Sequence, residues 1–110
     1  GSLAAAAAIT KALQSLDGDD ENGIKMTGYR GLMLPACEDR GLSRSAASVP
    51  PSLTISQILT ISSVCGVGVD TVPIPGNAAV EDVAALLLDV AGLAGRWDKG
   101  LSCRVFPCPE

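Results

Sequence analysis

Apolar residues recur with a helical period in three stretches of the chain. The first, Leu3 to Leu16, begins with a run of alanine, the residue with the strongest intrinsic preference for the helix. The second follows Thr54, and Gln57 three positions later completes the pattern of a capping box. That helix is predicted to end at Cys65, because Gly66 suits a left-handed C-cap. The third and longest periodic stretch covers residues 78–97.

Three shorter apolar stretches lack that period and predict β-strands: Ile24 to Ala36, Val67 to Ile74, and Leu101 to Phe106. The second is nearly all apolar and rich in β-branched residues, which is typical of a central parallel strand covered on both faces. We expect Pro107 and Pro109 to end the last strand, and Asn77 to cap the helix that follows the second.

These elements alternate as helix-strand-helix-strand-helix-strand. Helical crossovers between successive strands imply parallel pairing with right-handed connections. The sequence therefore predicts one α/β unit over residues 1–110, with a parallel sheet that forms part of a larger sheet or barrel. The third helix, with Val80, Ala84 and Leu87 among its periodic residues, is expected to be buried broadly.

A small parallel sheet needs other elements to cover both of its faces, and small domains bury proportionally little surface. We therefore expect the unit to pack against another protein chain. That chain is either a missing N-terminal portion of the same protein or a second copy in a homo-oligomer. The expected contact surfaces are the exposed sheet edge and the flank of the third helix that carries Leu86 and Leu93.

Composition narrows the classes of partner and site. A net charge of −4 and 3% aromatic residues argue against nucleic acid, and no apolar run approaches the roughly 18 residues that span a membrane. The chain has four cysteines, no C-x-x-C pair and no histidine, so a Cys/His zinc site is excluded. An apolar content of 47% supplies a core without disulfides, which predicts reduced thiols and a cytoplasmic protein.

Acidic residues occur in two further settings. The run from Asp17 to Gly23 does not match a calcium-binding EF-hand loop and is expected to be a solvated loop. Glu38 and Asp39 follow the first predicted strand, at the end where open α/β sheets place ligands. Asp70 lies inside the second predicted strand, where a carboxylate costs free energy unless it is paired or hydrogen-bonded.

These carboxylates predict a site for a small polar ligand at the strand C-termini. Glu38, Asp39 and Asp70 are the candidate catalytic residues, through general acid–base chemistry. The alternative chemistry is binding of Mg²⁺ or Ca²⁺ through Asp70 and Glu38. Four further residues are candidate ligand contacts, since two arginines attract an anionic group and two glycines leave room for a ligand or a backbone: Arg30, Arg104, Gly66 and Gly68.

A non-enzymatic interpretation is also open. In a structural or assembly module the same carboxylates would cap helices and pair with Arg30, Arg40 or Arg104. The two interpretations differ in geometry. A site requires Glu38 or Asp39 to converge with Asp70, whereas a module distributes the carboxylates over separate partners.

Residues 29–42, 63–76 and 101–107 carry motifs that resemble those of domain-of-unknown-function family 711, which is mainly prokaryotic. The resemblance implies an α/β fold distantly akin to the barrels of pyruvate formate-lyase-like enzymes, without their glycyl-radical loop and without an established reaction. It also implies that the chain corresponds to the C-terminal part of longer proteins. The matching motif positions are Glu38, Asp39, Cys65, Asp70 and Arg104. We therefore expect a metabolic enzyme domain that binds a small polar ligand.

Overall fold

The computed structural model describes residues 1–16 and 24–109, and the predicted acidic loop from Asp17 to Gly23 lies outside the described residues. The described part contains four helices and two strands in this order: α1 (Ser2–Gln14), α2 (Arg40–Ala47), α3 (Ile55–Cys65), β1 (Gly68–Pro75), α4 (Val80–Trp97) and β2 (Ser102–Cys108). In this part of the chain no helix combines the length and the hydropathy needed to cross a membrane.

The two strands are parallel neighbours, and α4 lies between them in the sequence. The predicted α/β class with parallel strands is therefore confirmed. Gly68 lies opposite Ser102 at one end of the pair, and Pro75 lies opposite Cys108 at the other. The expectation that Pro107 and Pro109 end the last strand is wrong for Pro107, which lies within β2 and pairs with Ile74, whereas Pro109 directly follows Cys108, the last residue of β2. A proline is tolerated there because β2 has no other strand beside it in the described part.

The sheet contains one irregularity, a β-bulge between Val69 and Val72. Over that interval β1 has two residues, Asp70 and Thr71, where β2 has Arg104 alone. Thr71 has a φ of 45°, which is rare for a β-branched side chain. The irregular point of the sheet therefore coincides with a predicted site residue.

The core lies between α3, α4 and the sheet. Val69 of β1 is fully buried, and the Ser62 hydroxyl of α3 donates to the Gly68 carbonyl at 2.6 Å, which fixes α3 on the start of β1. On its other side α3 contacts α1, whose buried residues are Ala6 and Thr10. Six buried apolar side chains form the core cluster: Ala36, Ile58, Val69, Val72, Leu86 and Val90.

The predicted first strand is wrong, because residues 24–36 form no strand. The segment nevertheless runs beside β1. A Cβ on Gly31 would lie 2.3 Å from the Cys65 carbonyl oxygen, and the Cys37 N–H donates to the Thr71 carbonyl at 3.0 Å. Gly28 has a φ of +74° and Pro35 has no N–H, and both features oppose a regular ladder. The observed order is therefore three helices, a strand, a helix and a strand.

Helix α4 departs from the prediction at its start and in its burial. It begins at Val80 with Ala79 as N-cap and no side-chain cap bond, so the prediction that Asn77 caps it is wrong. Of its residues only Leu86 and Val90 are buried, and Leu88 is 72% exposed, so broad burial of this helix is also wrong. Leu86, which was expected to lie on a contact surface, instead packs in the core.

Candidate functional site

Asp70 lies at the bulge, and only 3% of its surface is exposed, so its carboxylate is buried. Arg104, which lies opposite, contacts Asp70 Oδ1 through both Nε and Nη2. The Arg104 side chain is 55% exposed, so the pair joins a carboxylate inside the protein to a cation that water reaches. Asp70 therefore has the charge-assisted partner that a buried carboxylate requires.

The next residue, Thr71, carries two unfavourable features. It is 4% exposed, and its Oγ1 has no hydrogen-bond partner among the residues that the structure describes. An unsatisfied buried polar group costs about 1–3 kcal/mol, and a strained backbone conformation costs about as much. Unsatisfied buried groups and strained backbone conformations remain in a native protein only where the surrounding structure imposes them. They occur most often at functional sites. Sequence reasoning missed Thr71, although a polar Asp-Thr pair interrupting an apolar strand was the available signal.

Both glycines that were predicted to contact a ligand have backbone roles. Gly66, with a φ of 66°, ends α3 as the predicted left-handed C-cap. Gly68 has a φ of +102°, and a Cβ there would lie 2.2 Å from the Ser102 carbonyl oxygen. The space at Gly68 is therefore filled by the backbone of β2. Ligand contact at either glycine stays a prediction.

The carboxylates of residues 38 and 39 occupy an exposed turn beside the bulge. The turn is joined to β1 by the hydrogen bond from Cys37 to Thr71, and it leads directly into α2. Asp39 is the N-cap of α2, where its Oδ1 accepts from the Leu42 N–H at 2.7 Å. Glu38 is exposed. The structure thus brings this turn close to Thr71 but uses Asp39 as a helix cap.

The predicted location at the strand C-termini is wrong for Asp70. It is the third residue of β1, which ends at Pro75, and its partner Arg104 is likewise the third residue of β2. The bulge is therefore near the starts of the two strands. The predicted strand, Val67 to Ile74, and β1 differ by only one residue at each end, so the error lies in assigning a residue inside the strand to the C-terminal edge of the sheet.

Arg30 lies apart from this pair in the segment beside β1. Its carbonyl accepts from Gln14 Nε2 at 3.1 Å, which links the segment to α1. The neighbouring Tyr29 ring lies 5.6 Å from the Lys99 ammonium, a distance that suits a cation–π contact with the loop after α4. Contact of Arg30 with an anionic ligand stays a prediction.

A metal site is not assembled by the described residues. Within residues 1–16 and 24–109, no group of three or more histidine, cysteine, aspartate or glutamate side chains is placed to hold a metal ion. Mg²⁺ and Ca²⁺ require about six or more oxygen ligands, and Asp70 already binds Arg104. A cation at Asp70 and Glu38 would need most of its ligands from elsewhere.

All four cysteines are free thiols in the structure. Cys37 and Cys108 are exposed, Cys65 is buried, and Cys103 lies between these extremes. Burial raises the pKa of the Cys103 thiol, which disfavours the reactive thiolate there.

Comparison of the sequence with known protein families identifies a family for this chain. All of residues 1–110 match the family model described as Uncharacterised ACR (DUF711). The chain belongs to this family. It is 33% identical over 82 residues to the UPF0210 protein of Methanopyrus kandleri, and 34% identical over 85 residues to that of Oenococcus oeni. It is 32% identical over 109 residues to the UPF0210 protein of Pyrobaculum arsenaticum.

The DUF711 chain is much shorter than these relatives. The three alignments cover 74%, 77% and 99% of the chain but only 18%, 19% and 23% of the respective relatives. The chain therefore spans about a fifth of the length of the curated relatives it matches. No solved structure matches it significantly.

Proposed function

We propose that this DUF711 chain contributes a binding site for a small polar ligand to a metabolic enzyme, and that the site is centred on the bulge of β1. One observation carries the proposal. The bulge combines an ion pair between the buried Asp70 and the exposed Arg104 with a strained Thr71 whose buried hydroxyl has no partner among the described residues. A polar ligand at the bulge would satisfy that hydroxyl and contact the exposed guanidinium.

Each residue then has a distinct role. Arg104 binds an anionic or strongly accepting group of the ligand, since its planar guanidinium suits carboxylates and phosphates. Asp70 is a positioning residue that fixes the orientation of Arg104. Thr71 donates its hydroxyl. Glu38, in the exposed turn joined to Thr71 by Cys37, is the carboxylate for acid–base work, because Asp39 serves α2 as its cap.

Thermal unfolding with and without added anions tests the role of Arg104. The probes are inorganic phosphate and malonate, because a ligand that binds the native state raises the unfolding midpoint by mass action. We expect a rise for the unmodified chain, and no rise for Arg104→Gln. Arg96→Gln is the matched control, since Arg96 is an exposed arginine of α4. An equal rise in the Arg104→Gln variant, or no rise with either probe in the unmodified chain, would contradict the proposal.

Thr71→Val tests the hydroxyl separately, because valine keeps the shape of threonine and removes only the polar group. We expect the variant to be more stable by about 1–2 kcal/mol, since an unsatisfied buried hydroxyl disappears. We also expect its response to the anions to be smaller. Chemical denaturation measures the stability. A loss of stability would mean that the hydroxyl has a structural partner and does not await a ligand.

Two observations favour a structural module as the second candidate. Asp39 caps α2, and Asp70 pairs with Arg104 across the two strands. In a module the ion pair only joins β1 to β2, so Asp70→Asn and Arg104→Gln would change stability while no anion would shift the midpoint. The titrations above separate the two functions.

The resemblance supports three further proposals about the larger protein. We propose that this unit is the C-terminal part of a longer chain, that its sheet continues into a larger sheet or barrel akin to that of pyruvate formate-lyase-like enzymes, and that the protein is cytoplasmic. The share of the relatives that the chain covers supports a longer protein, and the C-terminal position rests on the resemblance alone. A crystal structure of the intact Methanopyrus kandleri relative tests the first two, through the position of the matching stretch and the strands that flank β2.

A further inference from the structure

A groove runs between α3 and α4. Its first part is a cleft of about 520 Å³ between the two helices and the turn after β1. A second cleft of about 600 Å³ shares Ser56, Leu59 and Asp89 with the first and continues to Leu93 and Arg96. Because the two clefts share residues from both helices, they form one groove. The lining residues of α4 extend from Asp82 to Arg96, about 21 Å of helix at 1.5 Å per residue.

Both apolar and charged side chains line this groove. Apolar side chains from both helices and from the end of β1 line it: Ile55, Leu59, Ile74, Val83, Leu86 and Leu93. Two exposed carboxylates, Asp82 and Asp89, line its α4 side. They are seven residues apart, so they lie on one face of α4 and about 10.5 Å from each other along its axis. Arg96 follows Asp89 by a further seven residues and lines the far end of the groove, so the α4 rim is negative at Asp82 and Asp89 and positive at Arg96.

These dimensions fit a helix. A length of about 21 Å corresponds to about four helical turns, and an apolar floor with a charged rim is the setting in which amphipathic helices bind. The two carboxylates at Asp82 and Asp89 select an occupant with lysine or arginine two turns apart, which places opposite charges next to each other along that part of the rim. A second copy of this chain offers no such helix among α1–α4, because the basic residues of each described helix lack that spacing.

We propose that this groove holds an amphipathic helix supplied by the part of a family-length protein that lies outside the matched stretch. The occupant carries an apolar stripe and basic residues two turns apart that face Asp82 and Asp89. Relatives about four times as long as this chain contain ample sequence for such a helix. The proposal is independent of the ligand site, since the groove is lined by neither Thr71 nor Arg104.

A peptide titration tests the chemistry of the groove on the chain itself. The probe is a fluorescent, helix-forming peptide of leucine and alanine with lysines seven residues apart, and anisotropy measures its binding. We expect Asp89→Lys to weaken binding at least tenfold. Glu81→Lys is the matched control, because it makes the same charge change on an exposed residue of α4 that lines neither cleft, and we expect less than a twofold change. Equal weakening by both variants, or no binding by the unmodified chain, would overturn the proposal.

Hydroxyl-radical footprinting tests the source of the helix. Leu59 and Leu93 are partly exposed in this chain, so they should be modified. In the intact Pyrobaculum arsenaticum relative, we expect the side chains that align with them to be protected at least tenfold relative to the unfolded protein. Modification in the intact relative at the rate seen in this chain would overturn the proposal. So would a sedimentation result in which this chain forms a dimer that Asp89→Lys dissociates, because the occupant would then be a second copy.

Discussion

Each strand of the sheet carries one charged residue among mainly apolar ones, but the two strands are opposite in burial. The first five residues of β1 are all buried, whereas no residue of β2 is buried. Val69 is completely inaccessible, but the larger and more apolar Phe106 is 47% exposed. The difference follows from position, because β1 has β2 on one side and the segment leading to Cys37 on the other. Burial in this protein is therefore decided by neighbours rather than by hydropathy.

The largest expected effect comes from Gly68, where the backbone of Ser102 in β2 occupies the space that a Cβ would need. We expect Gly68→Ala to destabilise the protein by at least about 4 kcal/mol, because a Cβ would overlap the Ser102 carbonyl at a φ of +102°. Urea unfolding measures the loss. The control is Gly92→Ala in α4, where a Cβ meets nothing within 4 Å and a gain of about 0.5–1 kcal/mol is expected. Similar effects of the two changes would mean that the strands do not pack as described.

The next largest effect on stability is expected from the ion pair between Asp70 and Arg104. Asp70 of β1 is buried and Arg104 of β2 is exposed, as are most residues of their strands. We expect Arg104→Gln to cost about 2–4 kcal/mol, because it leaves the Asp70 charge buried without a partner. Asp70→Asn should cost only about 1 kcal/mol, since water solvates the exposed guanidinium. Denaturation of both variants and of the double variant measures the difference. A larger loss in Asp70→Asn than in Arg104→Gln would reverse the assignment of the buried partner.

Each strand has a valine that faces the core, so the same substitution can be made in both strands and its effects on stability compared. Val69 of β1 is fully buried, and Val105 of β2 is partly buried against the same core. We expect Val69→Ala to cost about 2 kcal/mol and Val105→Ala about 1 kcal/mol, because the cavity at Val105 is open to water. Thermal unfolding of the two variants gives the comparison. Equal losses would show that β2 is as well covered as β1.

The smallest effect concerns two thiols within β2. Cys103 is partly buried and the pKa of its thiol is raised, whereas Cys108 is exposed. Cys103 should therefore react more slowly than Cys108 with a maleimide near neutral pH. Mass spectrometry of the labelled peptides measures both rates, and faster labelling of Cys103 would contradict its burial.

The same pKa shift gives a pH dependence of stability. Folding favours the neutral thiol of Cys103, so this contribution is complete below the ordinary pKa of 9.0 and is lost as pH rises through the folded value. We expect the free energy of unfolding to fall between about pH 8 and about pH 10. The fall should be smaller in Cys103→Ala, and an equal fall in both proteins would assign it to other groups.

Local chemistry made part of the fold predictable. Thr54 and Gln57 form the capping box that their spacing predicts, and Gly66 adopts the left-handed C-cap. These features depend on contacts within a few residues. Asn77 misled the prediction because a good capping residue does not fix where a helix starts, and α4 begins after Ala79.

Features that depend on distant contacts were not predictable in the same way. Leu32 to Leu34 are apolar enough for a strand, but the ladder requires a backbone that Gly28 and Pro35 do not provide. Asp70 was expected to need a partner, and Arg104 was one of three candidates. The choice depends on a register between residues 34 positions apart. The conformation of Thr71 is imposed by the fold against local preference, so no local pattern predicts it.

The bulge also sets which side chains of β1 face inward. Side chains alternate along a regular strand, so residues three apart point to opposite faces. Val69 and Val72 are three apart, yet both belong to the core cluster, and they lie opposite Cys103 and Val105, which are two apart and pack on that same cluster. The extra residue in the bulge allows two residues that are three apart to face the same side of the sheet. A regular ladder that kept both Asp70 and Thr71 would turn Val72 and the later half of β1 inside out, whereas deletion of one of them would leave Val69 and Val72 on the same face.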